Sequence, residues 1–143
     1  IAAALAIAAP ALAEQLTWIA DQQNGCRVRD AFPQDNETIE WKGPCRDGLA
    51  NGKGVLRWFI SGTEIERDEG EWRDGLMNSR VKITFSTGAH FEGEFRDDRP
   101  DGDGSYTDDD GQVYSGQWKN GCFDQDGRRM FLSATPQDCG ITQ

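Results

Sequence analysis

The chain has 143 residues, with 25 acidic and 15 basic side chains and a formal net charge of −10. This length suits one ordinary domain or a short array of repeats. The negative charge repels phosphate backbones and anionic lipid surfaces, so neither a nucleic acid nor an anionic membrane is expected as a partner.

Residues 1–13, IAAALAIAAPALA, carry no charge and end in Ala-Leu-Ala. Such a run before small residues is typical of the later part of a secretory signal peptide. It is too short for a membrane anchor, which needs about 20 apolar residues. We interpret residues 1–13 as a partial signal peptide whose true start lies further upstream, and we expect a periplasmic or secreted protein.

Residues 14–40 are out of register with the repeats that follow, and we assign them to an N-terminal cap. Repeat arrays need caps because a terminal repeat otherwise exposes an unpaired strand edge. The alternating stretch CRVRDAF, residues 26–32, favours an edge strand. Trp18 and Ile19 are candidates for folding onto the apolar face of the repeats.

The chain has four cysteines, and an even number in an exported protein favours disulfide bonds. Four cysteines allow three connectivities. We favour Cys26 with Cys45 and Cys122 with Cys139, because the repeats lie between these two pairs. No Cys-x-x-Cys pair is present and His90 is the single histidine, so no metal site is predicted.

Residues 41–131 contain about four copies of one pattern, which we number from zero at its first residue. The copies start at Trp41, Asp68, Phe91 and Tyr114, at spacings of 27, 23 and 23 residues. Glycine recurs at positions +2 and +13 in most copies, and an aromatic residue recurs at +4. A fixed period in this range indicates a repeat architecture.

Rings and glycines alternate with polar residues within each copy, as in FEGEF, residues 91–95. Successive side chains of a strand point to opposite faces, so one face is aromatic and the other is solvated. Polar turn sequences such as RDG and KNG follow, and then a second strand. Each copy is therefore predicted to be a β-hairpin, and the copies to form one antiparallel meander.

The pattern resembles the MORN repeat, Tyr-x-Gly-x-Trp-x-x-Gly-x-x-x-Gly-x-Gly, over residues 41–127; FEGEF and YSGQW carry the resemblance. The flanks, with cysteines on both sides of the array, resemble those of exported bacterial MORN-repeat proteins. The family implies a curved single-layer sheet, a scaffolding or interaction role and no catalytic residues. The second copy has four extra residues before its start, and the chain departs from the pattern at Asp68, Ser79, Val81, Asp98 and Asp108.

Residues 132–143 follow the last copy and form the predicted C-terminal cap, in which Thr135-Pro136 begins one helical turn. The predicted fold is therefore all-β: a single-layer antiparallel β-meander of repeated MORN-like hairpins with disulfide-tethered ends.

Acidic residues occur throughout the chain, and no pair stands out as a general acid and base. The stretch DDDG, residues 108–111, fails the calcium-loop pattern at both ends, and we interpret it as a hairpin turn. With one histidine and paired cysteines, nucleophilic catalysis has no visible residues. We predict no catalytic residue, no cofactor and no enzyme activity.

A single-layer sheet covers only one side of its own rings, so a terminal segment or a partner must cover the other side. The sequence predicts an exported non-enzymatic binding or scaffold module for an unidentified protein or envelope component, with self-association left open. The alternative is a small carbohydrate-active envelope enzyme with two carboxylates about 5–9 Å apart in a cleft beside exposed rings. The predicted binding residues are the rings of the aromatic face: Trp41, Trp72, Phe85, Phe91, Phe95, Tyr106, Tyr114 and Trp118.

Overall fold

The structure, a computed structural model, describes residues 17–141 and confirms an all-β fold. The predicted signal peptide, residues 1–13, lies outside the described residues. No helix within residues 17–141 has the length and apolar character needed to cross a membrane. The elements in chain order are β1 Trp18–Ala20, β2 Arg27–Arg29, β3 Glu37–Lys42, β4 Cys45–Arg46, β5 Leu49–Ala50, β6 Gly52–Ile60, β7 Thr63–Arg73, β8 Leu76–Phe85, β9 His90–Arg96, β10 Arg99–Thr107, β11 Val113–Lys119, β12 Cys122–Gln125, β13 Arg128–Phe131 and a 3₁₀ turn at Gln137–Cys139.

Nine strands form one antiparallel meander, in which β3 pairs with β6 and each strand from β6 to β13 pairs with the next. The register brings equivalent positions of neighbouring copies together. Gly104 lies opposite Gly93 on one side and opposite Gly116 on the other. The predicted meander of hairpins is therefore confirmed. Its first strand starts at Glu37, a few residues before the repeat register begins at Trp41.

Four short strands form a second sheet in the order β1-β2-β5-β4. The prediction that CRVRDAF adds an edge strand to the repeats is wrong, since β2 pairs with β1 and, in parallel, with β5. The reason is the tether at its start. The disulfide from Cys26 to Cys45 holds β2 beside β4 and β5, where the N–H of Arg27 donates to the carbonyl of Gly48 at 2.9 Å.

Asp21 fastens the N-terminal cap to β3, the outermost strand of the meander. Its Oδ2 accepts the N–H of Trp41 at 2.8 Å, and its Oδ1 accepts the N–H of Gln23 at 2.8 Å. The side chain of Asn24 donates to the carbonyl of Trp41 at 3.0 Å. These bonds occupy backbone groups that an edge strand otherwise leaves unpaired.

The ring at position zero lies over two glycines, one in its own strand and one in the next. A Cβ added to Gly43 would stand 2.5 Å from Cζ2 of Trp41, and one added to Gly104 would stand 2.6 Å from Cζ of Phe91. Real side chains do not pack at such distances, since protein interiors are already close-packed. This contact explains why rings and glycines recur together in the repeat.

Both ends of the array are tethered by the predicted disulfides. The Cα atoms are 6.1 Å apart in Cys26–Cys45 and 5.5 Å apart in Cys122–Cys139, and no cysteine is free. Disulfides are typical of extracellular and periplasmic proteins.

The C-terminal cap contains one turn of 3₁₀ helix, as short as the sequence predicts. The N–H of Asp138 donates to Oγ1 of Thr135 at 3.1 Å, and the N–H of Thr135 donates to Oδ2 of Asp138 at 2.9 Å. This reciprocal pair satisfies donors at the start of the turn.

Candidate functional site

Most of the predicted binding rings lie inside the protein. Five of the eight are at most 3% exposed, namely Trp41, Trp72, Phe91, Phe95 and Trp118. The other three are half-buried: Phe85, Tyr106 and Tyr114. A ring that its own chain already covers offers little surface to a partner, so the first five mainly hold the fold together. Binding through the three half-buried rings stays a prediction.

Contacts between the rings of the described residues form two separate runs. One run is Trp41 with Trp72, whose centroids are 4.8 Å apart. The break between the runs falls in the second copy, where Asp68 occupies position zero in place of a ring. The other run is Phe95, Phe91, Trp118, Phe123, Tyr114 and Tyr106.

Val81 compensates in part for the missing ring. It replaces the +13 glycine of the second copy, and its Cγ2 would lie 2.9 Å from a Cβ added to Gly70. Val81 therefore covers Gly70 much as the ring of Phe91 covers Gly93 in the third copy. A valine fills less volume than a ring, and the small carboxylate at Asp68 leaves further space.

A cavity of ≈ 240 Å³ borders Asp68. The repeat sheet contributes Leu56, Trp58 and Trp72 to its wall. The N-terminal cap contributes residues 28–32, and the C-terminal cap contributes Ser133. Segments from both ends of the chain therefore reach this part of the aromatic face, and the space between them and the sheet is the cavity.

A β-bulge turns two consecutive side chains towards this cavity. Trp58 lies opposite Glu66 and Phe59 lies opposite Glu64, so Ile65 has no partner in the ladder. Ile65 and Glu66 both line the cavity, which the regular alternation of a strand does not allow. The bulge lies just before Asp68, in the stretch that holds the four extra residues before the second copy.

Five carboxyl groups and one guanidinium line the cavity. They come from the N-terminal cap, β3, β7 and the turn after β9: Arg29, Asp30, Glu37, Glu66, Asp68 and Asp98.

The MORN-repeat pattern matches residues 46–63, 69–89, 91–113 and 114–121. The chain belongs to the MORN-repeat family. No curated protein matches it. The matched segments leave out residues 64–68, which carry Ile65, Glu66 and Asp68. MORN repeats are generally not catalytic, and a sheet of them is consistent with a binding or scaffold module.

Within this MORN-repeat sheet, Asp68 is fully buried. Its Oδ2 accepts a hydrogen bond from Nε1 of Trp58 at 3.1 Å, and its Oδ1 has no hydrogen-bond partner. Burial raises the pKa of Asp68 well above its usual value, and the neighbouring charge of Glu66 raises it further. Burial also raises the pKa of Glu66. Protonation of either group removes the repulsion between two neighbouring carboxylates.

Two further carboxyl groups of the cavity have a raised pKa. Burial raises the pKa of Asp98 to about 6, although Oδ1 of Asp98 accepts the N–H of Met77 at 2.6 Å. Burial, and then a hydrogen bond with Asp30, raise the pKa of Glu37 to about 8. At neutral pH Glu37 therefore holds a proton that a free carboxyl group releases.

The sequence does not predict this cavity, and Asp68 and Asp98 stand out in it only as departures from the repeat. Their positions are the signal that identifies them. Asp68 stands where the other copies have a ring, and Asp98 stands at +7, where they have glycine. No signal of this kind marks Asp30 or Glu37, because they lie outside the repeat register.

A different acidic group lies at the turn after β10. Among residues 17–141, it is the one set of three potential metal ligands that converges, with Asp108, Asp109 and Asp110 offering oxygens within 4.8 Å of one another. Oδ1 of Asp108 accepts the N–H groups of Asp110 and Gln112 at 2.9 and 2.8 Å. These bonds are those of a tight turn, as the sequence predicts.

Proposed function

We propose that this MORN-repeat protein is an exported, non-enzymatic binding module whose ligand site is the cavity beside Asp68. One observation carries the proposal: the ring ladder is interrupted at a single copy, and a cavity with a fully buried carboxyl group lies at that interruption. A buried carboxyl group without a full set of partners destabilises a fold. A ring at this position would serve a purely structural sheet better.

Two features support export. The chain carries two disulfides, and its residues 1–13 have the composition of a signal peptide. The cavity differs from the binding surface that the sequence predicts, since it combines Trp72 with carboxyl groups rather than using the ring face alone. The partner of the module is then a group that enters the cavity.

A cavity-filled variant tests this function. Asp68→Phe with Val81→Gly restores the ring and glycine of the other copies and removes the space. Wild type and variant are mixed with fractions of an envelope extract, and their melting temperatures are compared. A fraction that stabilises the wild type and leaves the filled variant unchanged supports the proposal. Equal stabilisation of both proteins would place the binding site elsewhere.

A small carbohydrate-active envelope enzyme remains the second candidate, because carboxyl groups with raised pKa lie beside Trp58 and the exposed Phe32. Against it, Glu66 contacts Asp68 and Glu37 contacts Asp30, whereas glycosidases hold two carboxyl groups about 5–9 Å apart across a bond. Release of reducing ends from cell-wall oligosaccharides by the wild type, and its loss in Asp68→Asn, would favour this candidate.

A further inference from the structure

We infer that the cavity beside Asp68 binds an organic cation the size of a side chain, an alkylammonium or alkylguanidinium group. The inference rests on the binding function proposed above and names the chemical class of its ligand.

The acidic groups of the cavity favour a cation, because a bound cation can replace the protons that burial holds on them. Five carboxyl groups line it, and Arg29 is the one basic side chain among its lining residues. The chain as a whole has a net charge of −10, so its field attracts cations towards any cleft with acidic walls. An anionic ligand would meet both effects as repulsion.

One oxygen in the cavity wall lacks a donor. Asp68 is fully buried, and its Oδ1 has no hydrogen-bond partner while Trp58 satisfies Oδ2. The carboxyl group of Glu66 lies beside it. An N–H group placed between Asp68 and Glu66 would donate to both. Ammonium and guanidinium groups offer several such donors and no acceptor.

The volume of the cavity and its apolar lining residues limit the size and type of ligand that fits. At ≈ 240 Å³ the cavity is smaller than the roughly 300–1,000 Å³ of sites for drug-sized molecules, so it suits a group as large as a lysine or arginine side chain. Leu56, Ile65 and Trp72 offer an apolar wall to an alkyl stem. The ring of Trp58 lines the cavity and is held by its bond to Asp68, and an indole ring can attract a cation to its face.

A metal ion fits this cavity less well. Hard cations need several oxygens converging on one point. Within residues 17–141, such convergence of three ligand atoms occurs in the turn of Asp108, Asp109 and Asp110, and not at the cavity. An elongated organic cation can instead contact carboxyl groups spread along the wall.

A titration of the full chain at pH 7 and low salt, followed by two-dimensional NMR of its N–H groups, tests the inference. The probes are n-butylguanidinium, n-butylammonium and neutral n-butanol. We expect the two cations to bind saturably and to shift the indole N–H of Trp58. Asp68→Asn, which keeps the shape of the side chain, should weaken cation binding about tenfold or more. Asp109→Asn makes the same change of side chain in an exposed turn, and it should change the affinity less than about twofold.

The outcomes separate this inference from the proposed function. If n-butanol binds in the cavity as tightly as the cations, the cation inference is overturned while a binding cavity stands. Absence of saturable binding by either cation overturns the inference, as does Asp68→Asn binding like the wild type in a protein that melts cooperatively. A shift of the Trp58 indole with calcium alone would also overturn it. Glu66→Gln is the second variant, and unchanged binding there contradicts the shared contact.

The natural cation has two sources with the same chemistry, a free amine or a side chain of a partner protein. A short peptide, acetyl-Gly-Lys-Gly-amide, separates them. Binding of the peptide with the same Trp58 shift supports the inference and assigns a protein partner. Binding of n-butylammonium without the peptide supports it and assigns a free amine.

Discussion

The indole N–H of Trp58 donates to Oδ2 of Asp68 at 3.1 Å across the pair of strands β6 and β7. Asp68 lies directly opposite Leu56 and Trp58 opposite Glu66, so the bond runs diagonally along the ladder. It fixes one oxygen of the carboxyl group and leaves the other without a donor. It also opposes the rise in the pKa of Asp68, but burial has the larger effect.

The first prediction concerns the pH dependence of stability through Asp98. Its folded-state pKa of about 6 is above the ordinary 3.8, so its ionisation destabilises the fold as pH rises through 6. Asp98→Asn removes the ionisation and keeps an oxygen for the N–H of Met77. The difference between a pKa of 3.8 and one of about 6 corresponds to about 3 kcal/mol. The unfolding free energy of the variant, relative to that of the wild type, should therefore rise by up to this much between pH 4 and pH 7. Urea unfolding at several pH values measures it.

A matched control for Asp98 is Asp126→Asn. Asp126 lies in an exposed turn and has a similar positive φ, 55° against 71° for Asp98, which asparagine also tolerates. Asp126→Asn therefore shows what the exchange of a carboxyl group for an amide does at such a φ. A stability difference for Asp98→Asn that does not grow with pH would contradict the assignment.

The second prediction is that Asp68 and Val81 depend on each other. Asp68→Phe alone should lower the unfolding free energy by about 1–3 kcal/mol, since the new ring clashes with the methyl groups of Val81. Val81→Gly alone removes packing over Gly70 and should also destabilise. The double variant should be more stable than the sum of the two changes implies, with a coupling of about 0.5–3 kcal/mol. Additive effects in a double-mutant cycle would show that the two positions are independent.

The third prediction is that Trp72 mainly stabilises the fold. It is 2% exposed and its ring contacts that of Trp41, so Trp72→Ala should cost about 3–5 kcal/mol of unfolding free energy. The comparison is Glu92→Gln on the opposite face, where an exposed ion pair with Arg80 should contribute less than about 1 kcal/mol. Wild-type stability of Trp72→Ala in chemical unfolding would mean that the ring is not a core residue.

The fourth prediction concerns the tethers. Proteolysis without reduction should release linked peptides for Cys26–Cys45 and for Cys122–Cys139. These bonds join residues 19 and 17 positions apart, and replacing either pair with serine should cost about 3 kcal/mol. Peptides that link the first pair to the second would contradict the pairing.

Local patterns in the sequence were enough to predict the repeat sheet. Alternation between rings and charges sets which side chains face inwards, and the paired glycines at +2 and +13 mark where rings lie, as Phe91 does over Gly93 and Gly104. Alternation acts within one strand and the contact between ring and glycines acts between neighbouring strands, so a period in the sequence is enough to predict both. The positions of the cysteines relative to the array likewise predicted their pairing.

Tertiary structure decided what covers the rings and where the cavity lies. Trp72 is among the binding residues that the sequence predicts, yet contacts with other parts of the chain bury it. Asp30 and Ser133 come from opposite ends of the chain and line one cavity, and the bulge at Ile65 aims Glu66 into it. Contacts between segments so distant in sequence produce no periodic pattern from which they could be predicted. The physical reason is that burial depends on everything that packs around a side chain, whereas alternation depends only on the strand that carries it.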